Sequence, residues 1–119
     1  SDLGVTEIIS TLSRRYRDGT VDLDAVSRFR RAVLSHLKAG IYHHVELVPA
    51  TNREAEKLLL SLKHIPLRTL DALHLALAIS GGAVSLITYD RRLTEAALAT
   101  GLNVFQRTSD THGRPAAPR

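Results

Sequence analysis

Three carboxylates, Glu7, Asp71 and Asp90, stand in settings where a bare charge needs an explanation. Asp71 is the sharpest case. It sits within IPLRTLDALHLALAISGG, residues 65–82, with Arg68 three residues before it and His74 three after. Pro66 near the start and Gly81-Gly82 past the end read as helix punctuation. Leu67, Leu70, Leu73, Leu75, Leu77 and Ile79 cover nearly every direction around the axis, which predicts a buried helix. A carboxylate in such a helix has to be neutralised, paired or bound to a cation. Two readings stand on pattern alone. One is a first-turn charge favoured by the helix dipole or by Arg68; the other is a metal ligand or catalytic group.

Asp90 closes SLITYD and precedes RRL, so it is either the N-cap of the next helix or a group at a strand's carboxyl end, where sites gather in parallel sheets. Glu7 lies opposite the stripe Val5, Ile8, Ile9 and Leu12, where a solvated first-turn carboxylate is the plain alternative to a site role. Grouped carboxylates without thiolates suit Mg²⁺ or Mn²⁺, hard cations that prefer oxygen. Such an ion relieves carboxylate repulsion, activates water and offsets charge building on a phosphate under in-line attack. Spacing alone does not choose between this chemistry and ordinary helix starts. His74 reads either as a core histidine bonded to a neighbour or as a base.

Stepping along the chain gives the elements that would hold these groups. A first helix runs to Gly19, capped by Ser1 or Asp2. A second runs from about Asp22 to Lys38 with Val26, Phe29, Val33 and Leu37 on one face, paired with the first across RDGTVD. HVELVPAT reads as a short strand stopped by Pro49. Thr51 and Glu54 then form a capping box for a helix carrying Leu58, Leu59 and Leu62. The Asp71 helix follows, then VSLITYD as a strand buried on both faces, RRLTEAALAT as a helix closed by Gly101, and NVFQ as a last strand. This alternation predicts an α/β fold with a parallel sheet and crossover helices over residues 1–106. The polar segment 107–119 is expected to be a disordered tail.

With 119 residues, 44% of them hydrophobic, the chain has the composition of one modest domain. There are no cysteines, which excludes disulfides and thiolate metal sites and accords with a cytoplasmic setting. No apolar run reaches membrane-spanning length. Sixteen Lys and Arg against twelve Asp and Glu leave a net charge of +4. The arginines are clustered, at Arg14-Arg15-Arg17, Arg28-Arg30-Arg31 and Arg91-Arg92, in a form suited to phosphate contacts or to solvated helix faces. Two Phe, three Tyr and no Trp argue against a base-stacking platform.

The blocks PLRTLDALHLALA and SLITYDRRLTEAALATGLNVF, preceded by SDLGVTEIISTLSRRYRDGTV, closely resemble the PIN-domain ribonucleases, in particular the VapC-like toxins of toxin–antitoxin operons. The resemblance covers residues 1 to about 106 in the family's order. It implies a PIN-like α/β fold and a Mg²⁺- or Mn²⁺-dependent RNA endonuclease. It also implies Glu7, Asp71 and Asp90 as catalytic metal ligands. Thr88, Arg68 and His74 fall at supporting positions, and Arg14, Arg91 and Arg92 are candidates to follow an RNA backbone. The partners it implies are an RNA substrate, an antitoxin protein and a second copy in a homodimer.

One part of the family pattern has no counterpart. Its first aspartate closes an amino-terminal strand, and no such segment precedes Ser1; Asp2 belongs to the first helix instead. The expectation is therefore a PIN domain truncated at its amino terminus, with a ligand missing, apolar sheet surface exposed and little or no activity. A non-catalytic remnant that binds an antitoxin or itself, and a PIN nuclease of RNA processing, are the alternatives.

Overall fold

The two helices that open the chain owe their boundaries to side chains that cap them. In a computed structural model describing residues 1–105, α1 spans Asp2–Arg17 and α2 spans Leu23–Lys38. The Ser1 hydroxyl accepts from the Gly4 N–H at 3.0 Å, and the Asp22 carboxylate accepts from the Ala25 N–H at 2.7 Å, each satisfying a helix donor that has no partner within the helix. The chain forms two compact units, Ser1–Leu47 and Val48–Arg119, the second described through Phe105. In the first, Val5, Ile9 and Leu12 of α1 and Val26, Val33 and Leu37 of α2 are half-buried, and neither helix has a fully buried residue.

The second unit holds a packed core. Its elements are α3 (Pro49–Ser61), α4 (Thr69–Ser80), β1 (Ser85–Ile87), α5 (Arg91–Ala99) and β2 (Asn103–Phe105). Ala55, Leu58, Leu62 and Ile65 from and after α3 meet Ala72, Leu75 and Ala76 of α4 and Leu93, Ala96 and Ala97 of α5. Four of these alanines are wholly buried, so the helices approach closely where a larger side chain would hold them apart. β1 and β2 pair in parallel, Ser85 with Asn103, Leu86 with Val104 and Ile87 with Phe105, and α5 makes the crossover. This mixed helix–strand arrangement with a parallel pair is the expected PIN-like α/β fold.

Three local expectations are corrected. HVELVPAT is not a strand. The Leu47 N–H donates to the Asp2 carboxylate at 3.2 Å, the His44 ring meets the other oxygen of that carboxylate at 2.6 Å, and the Asp2 N–H donates to the Val45 carbonyl at 3.4 Å. These backbone groups are thus engaged by the start of α1 rather than by a ladder. The α3 helix begins at Pro49, not Thr51: proline takes the first helical position, Val48 is the N-cap, and the Thr51 hydroxyl accepts from the Val48 N–H at 3.3 Å. Finally, β1 is not buried on both faces. Among the described residues it pairs only with β2, and Val84, Ile87 and Tyr89 are each more than 70% exposed. The expected strand residue Gln106 and the expected tail 107–119 lie outside the described residues.

Candidate active site

The α4 helix starts later than proline punctuation suggests. A tight turn, with the Leu67 N–H donating to the Ile65 carbonyl at 2.7 Å, follows Pro66, and Arg68 becomes the N-cap. Asp71 is then the third residue of the helix, half-buried, and one of its oxygens accepts from the Arg68 N–H at 3.1 Å. The expectation of a helix buried all round is corrected accordingly: Leu70 is 48% exposed, and the wholly buried face is Ala72, Leu75 and Ala76. The first-turn reading of Asp71 describes its backbone contact. Its second oxygen is not used in that contact, so a ligand role is geometrically open.

Asp90 repeats the arrangement at the other helix. It lies three residues past the end of β1 and caps α5, one oxygen accepting from the Leu93 N–H at 2.9 Å. Thr88 supports it directly: its hydroxyl accepts from the Asp90 N–H at 3.1 Å and holds the turn that leads from strand to helix. The Asp90 carbonyl in turn accepts from the Thr94 hydroxyl at 2.8 Å.

The two aspartates share an open cavity of about 510 Å³ lined by Arg68, Asp71, Asp90, Arg91 and Arg92. All five are N-cap or first-turn residues of α4 and α5. Two positive helix ends therefore border the cavity alongside three guanidinium groups, and both favour a bound anion. The cavity lies beyond the carboxyl end of a parallel strand, where open α/β sheets gather their ligands. Thr88 acts on Asp90 without lining the cavity. His74 is half-buried one turn into α4 and is also absent from the lining. Glu7, half-buried on α1, and Arg14, exposed in its last turn, belong to the first unit. The backbone donors of Arg68 and Leu93, which fix the carboxylates, are not features that residue types alone could announce.

The donor set suits a hard divalent cation, since each aspartate keeps one carboxylate oxygen outside its capping contact. The set is small: among the described residues no group of three or more His, Asp or Glu side chains is placed to hold an ion. No helix there is long and apolar enough to cross a membrane.

An acid- and arginine-lined cavity beyond a parallel strand is the kind of site used to handle phosphate esters. Residues 1–98 match the PIN domain family, and the chain belongs to it. PIN domains are generally nucleases that need a divalent metal. No curated protein and no solved structure matches the chain.

Proposed function

We propose that the protein is a metal-dependent RNA endonuclease, a VapC-like toxin whose centre includes Asp71 and Asp90. The observation that carries this reading is their meeting with Arg68, Arg91 and Arg92 in one cavity of a PIN-family chain. Asp71 and Asp90 would hold the ion through their remaining oxygens, and the family resemblance assigns Glu7 as a further ligand. When bound, Mg²⁺ or Mn²⁺ supplies an acidified water and offsets charge on the phosphate under attack. Arg68, Arg91 and Arg92 grip phosphate oxygens and set the scissile bond against the carboxylates. Thr88 keeps Asp90 oriented through its turn, Arg14 and the other basic clusters follow the RNA backbone, and His74 supports α4 next to Asp71.

The toxin assignment rests on the resemblance of the PLRTLDALHLALA and TYDRRL blocks. An antitoxin or a second copy of the chain has a candidate seat in the first unit, an apolar groove lined by Val5, Ile8, Phe29, Val33 and Leu37. The test is cleavage of labelled single-stranded RNA by the full chain with Mn²⁺, and growth arrest on expression. The reading expects both effects and their loss in Asp71→Asn; cleavage unchanged in that variant overturns the assigned role. A second reading is a non-catalytic PIN domain that acts by binding, consistent with the two aspartates being the only carboxylates lining the cavity among the described residues. Tight stoichiometric Mn²⁺ binding by the chain would sink that alternative.

A further inference from the structure

After α2 the chain crosses to the start of α1 without forming a helix or strand. Gly40 turns it with a positive φ of 75°, and the N–H groups of Gly40 and Ile41 donate to the Leu37 and His36 carbonyls at 3.2 and 3.1 Å. Residues 40–47 then run as a strap. Its Ile41 and Tyr42 form one wall of an apolar groove of about 530 Å³, with Val5 and Ile8 of α1 and Phe29 and Leu37 of α2 in the other walls. Ile41 is 62% and Tyr42 55% exposed, so apolar burial holds the strap only in part. Asp2 holds its far end. The Asp2 N–H donates to the Val45 carbonyl at 3.4 Å, and the Asp2 carboxylate accepts from the Leu47 N–H at 3.2 Å and meets His44 Nε2 at 2.6 Å. One residue at the start of α1 thus clasps three positions of the strap.

Histidine is the side chain whose charge ordinarily changes between about pH 5 and 8. The Asp2 carboxyl stays charged across that interval, held below its ordinary range by the Leu47 N–H and then by the His44 ring. A protonated ring donates from Nε2 to the carboxylate in a charge-assisted hydrogen bond. A neutral ring either donates a weaker bond or, in its other tautomer, sets a lone pair against the carboxylate oxygen. Both weaken the clasp. Other charged groups stand near it. The Ser1 amine acts on the Asp2 carboxylate. His36 of α2 meets the strap through Tyr42, with ring centroids 6.0 Å apart, and His43 and Glu46 flank His44 along the strap itself. Glu7 lies about 140° further round α1 than Asp2. We propose that residues 40–47 are a pH-sensitive strap: protonation of His44 closes it onto Asp2, and loss of that proton lets it open and uncover the apolar groove. The device belongs to the first unit alone and is independent of the nuclease reading.

The test uses the full chain. Nuclear magnetic resonance follows the His44 ring and the Leu47 amide from about pH 5.5 to 8, with amide exchange expressed relative to the unstructured-chain rate at each pH. An exposed ion pair shifts an equilibrium by about two- to fivefold, so Leu47 protection is expected to fall by that factor as His44 loses its proton. Emission of Nile red, a dye uncharged across this range, is expected to rise by a similar factor as the groove opens. His44→Gln keeps a neutral donor and is expected to hold both readouts at their high-pH level throughout. Asp2→Ala is expected to remove the pH response as well and to lower Leu47 protection further. His36→Gln is expected to leave the Leu47 response in place, which separates the clasp from the contact between His36 and Tyr42. Circular dichroism checks that each variant is folded. Leu47 protection that stays constant while His44 titrates, a response that survives His44→Gln, or one that vanishes in His36→Gln each overturns the proposal. Nile red emission indifferent to pH while Leu47 protection falls refutes the opening of the groove, and the strap with it.

Discussion

Replacing Asp71 separates its structural contribution from its chemical one. Its carboxylate accepts the Arg68 N–H at 3.1 Å in the first turn of α4, the helix that carries wholly buried Ala72, Leu75 and Ala76. Asp71→Ala removes one hydrogen bond, about 1 kcal/mol net, and a favourable charge near a helix start, about 0.5 kcal/mol. Alanine's higher helix propensity returns roughly 0.5 kcal/mol. The expected loss is then about 1 kcal/mol, or roughly 4–8 °C in melting temperature for a unit of this size. Asp71→Asn keeps an acceptor and loses only the charge, so about 0.5 kcal/mol. Cleavage responds in the opposite proportion. On the proposed reading both variants lose a metal ligand, and both are expected to fall by at least about 100-fold, the upper range for losing even an indirect support of a metal site. Urea unfolding followed by circular dichroism gives the first quantity, and cleavage of labelled RNA in Mn²⁺ the second. An alanine variant as stable as the wild type refutes the capping account. An asparagine variant that cleaves normally refutes the ligand account.

Other consequences follow from single contacts. Leu75 is wholly buried between helices, so Leu75→Ala is expected to cost about 2–5 kcal/mol in urea unfolding; a loss under about 1 kcal/mol would mean that the core is not packed as described. The Leu47 N–H, and after it the His44 ring, hold the Asp2 carboxyl below its ordinary range. A lowered carboxyl pKa contributes stability above the unfolded-state value and loses it as pH falls through the folded value. Asp2→Asn is therefore expected to flatten the acid limb of stability below about pH 4, and identical profiles for variant and wild type would count against the contact. Neutralising Arg91 or Arg92 is expected to lower the slope of log affinity against log salt by about 0.7 each on single-stranded nucleic acid; an unchanged slope removes that arginine from the phosphate interface.

Much of this was legible in the sequence, and the failures have physical causes. Helix ends announced themselves through local signals: Ser1 and Asp22 at starts, Gly101 with its positive φ of 90° after α5. The parallel pairing of β1 with β2 followed from a strand–helix–strand pattern. The HVEL segment misled because its alternation is strand-like, while the group that engages it, Asp2, lies 45 residues before Leu47. Ile87 and Tyr89 misled because apolar composition predicts burial only when something covers the face. Asp71 was singled out by its apolar surroundings, yet its use of the Arg68 N–H depends on where the helix starts, and Pro66 lies three residues before its first residue, Thr69. The meeting of Asp71 and Asp90, with the arginines around them, arises from packing α4 against α5, which no spacing in the chain encodes.

The most direct test of the central claim is the chemistry of RNA cleavage by the full chain. Labelled single-stranded RNA is incubated with the protein in Mn²⁺ and, separately, in EDTA, and the product ends are identified by mass spectrometry. Water as the attacking group predicts cleavage only with the metal, and products ending in a simple phosphate and a hydroxyl. Cleavage that persists in EDTA, or products ending in a 2′,3′-cyclic phosphate, would mean that the RNA's own hydroxyl attacks and would contradict the account.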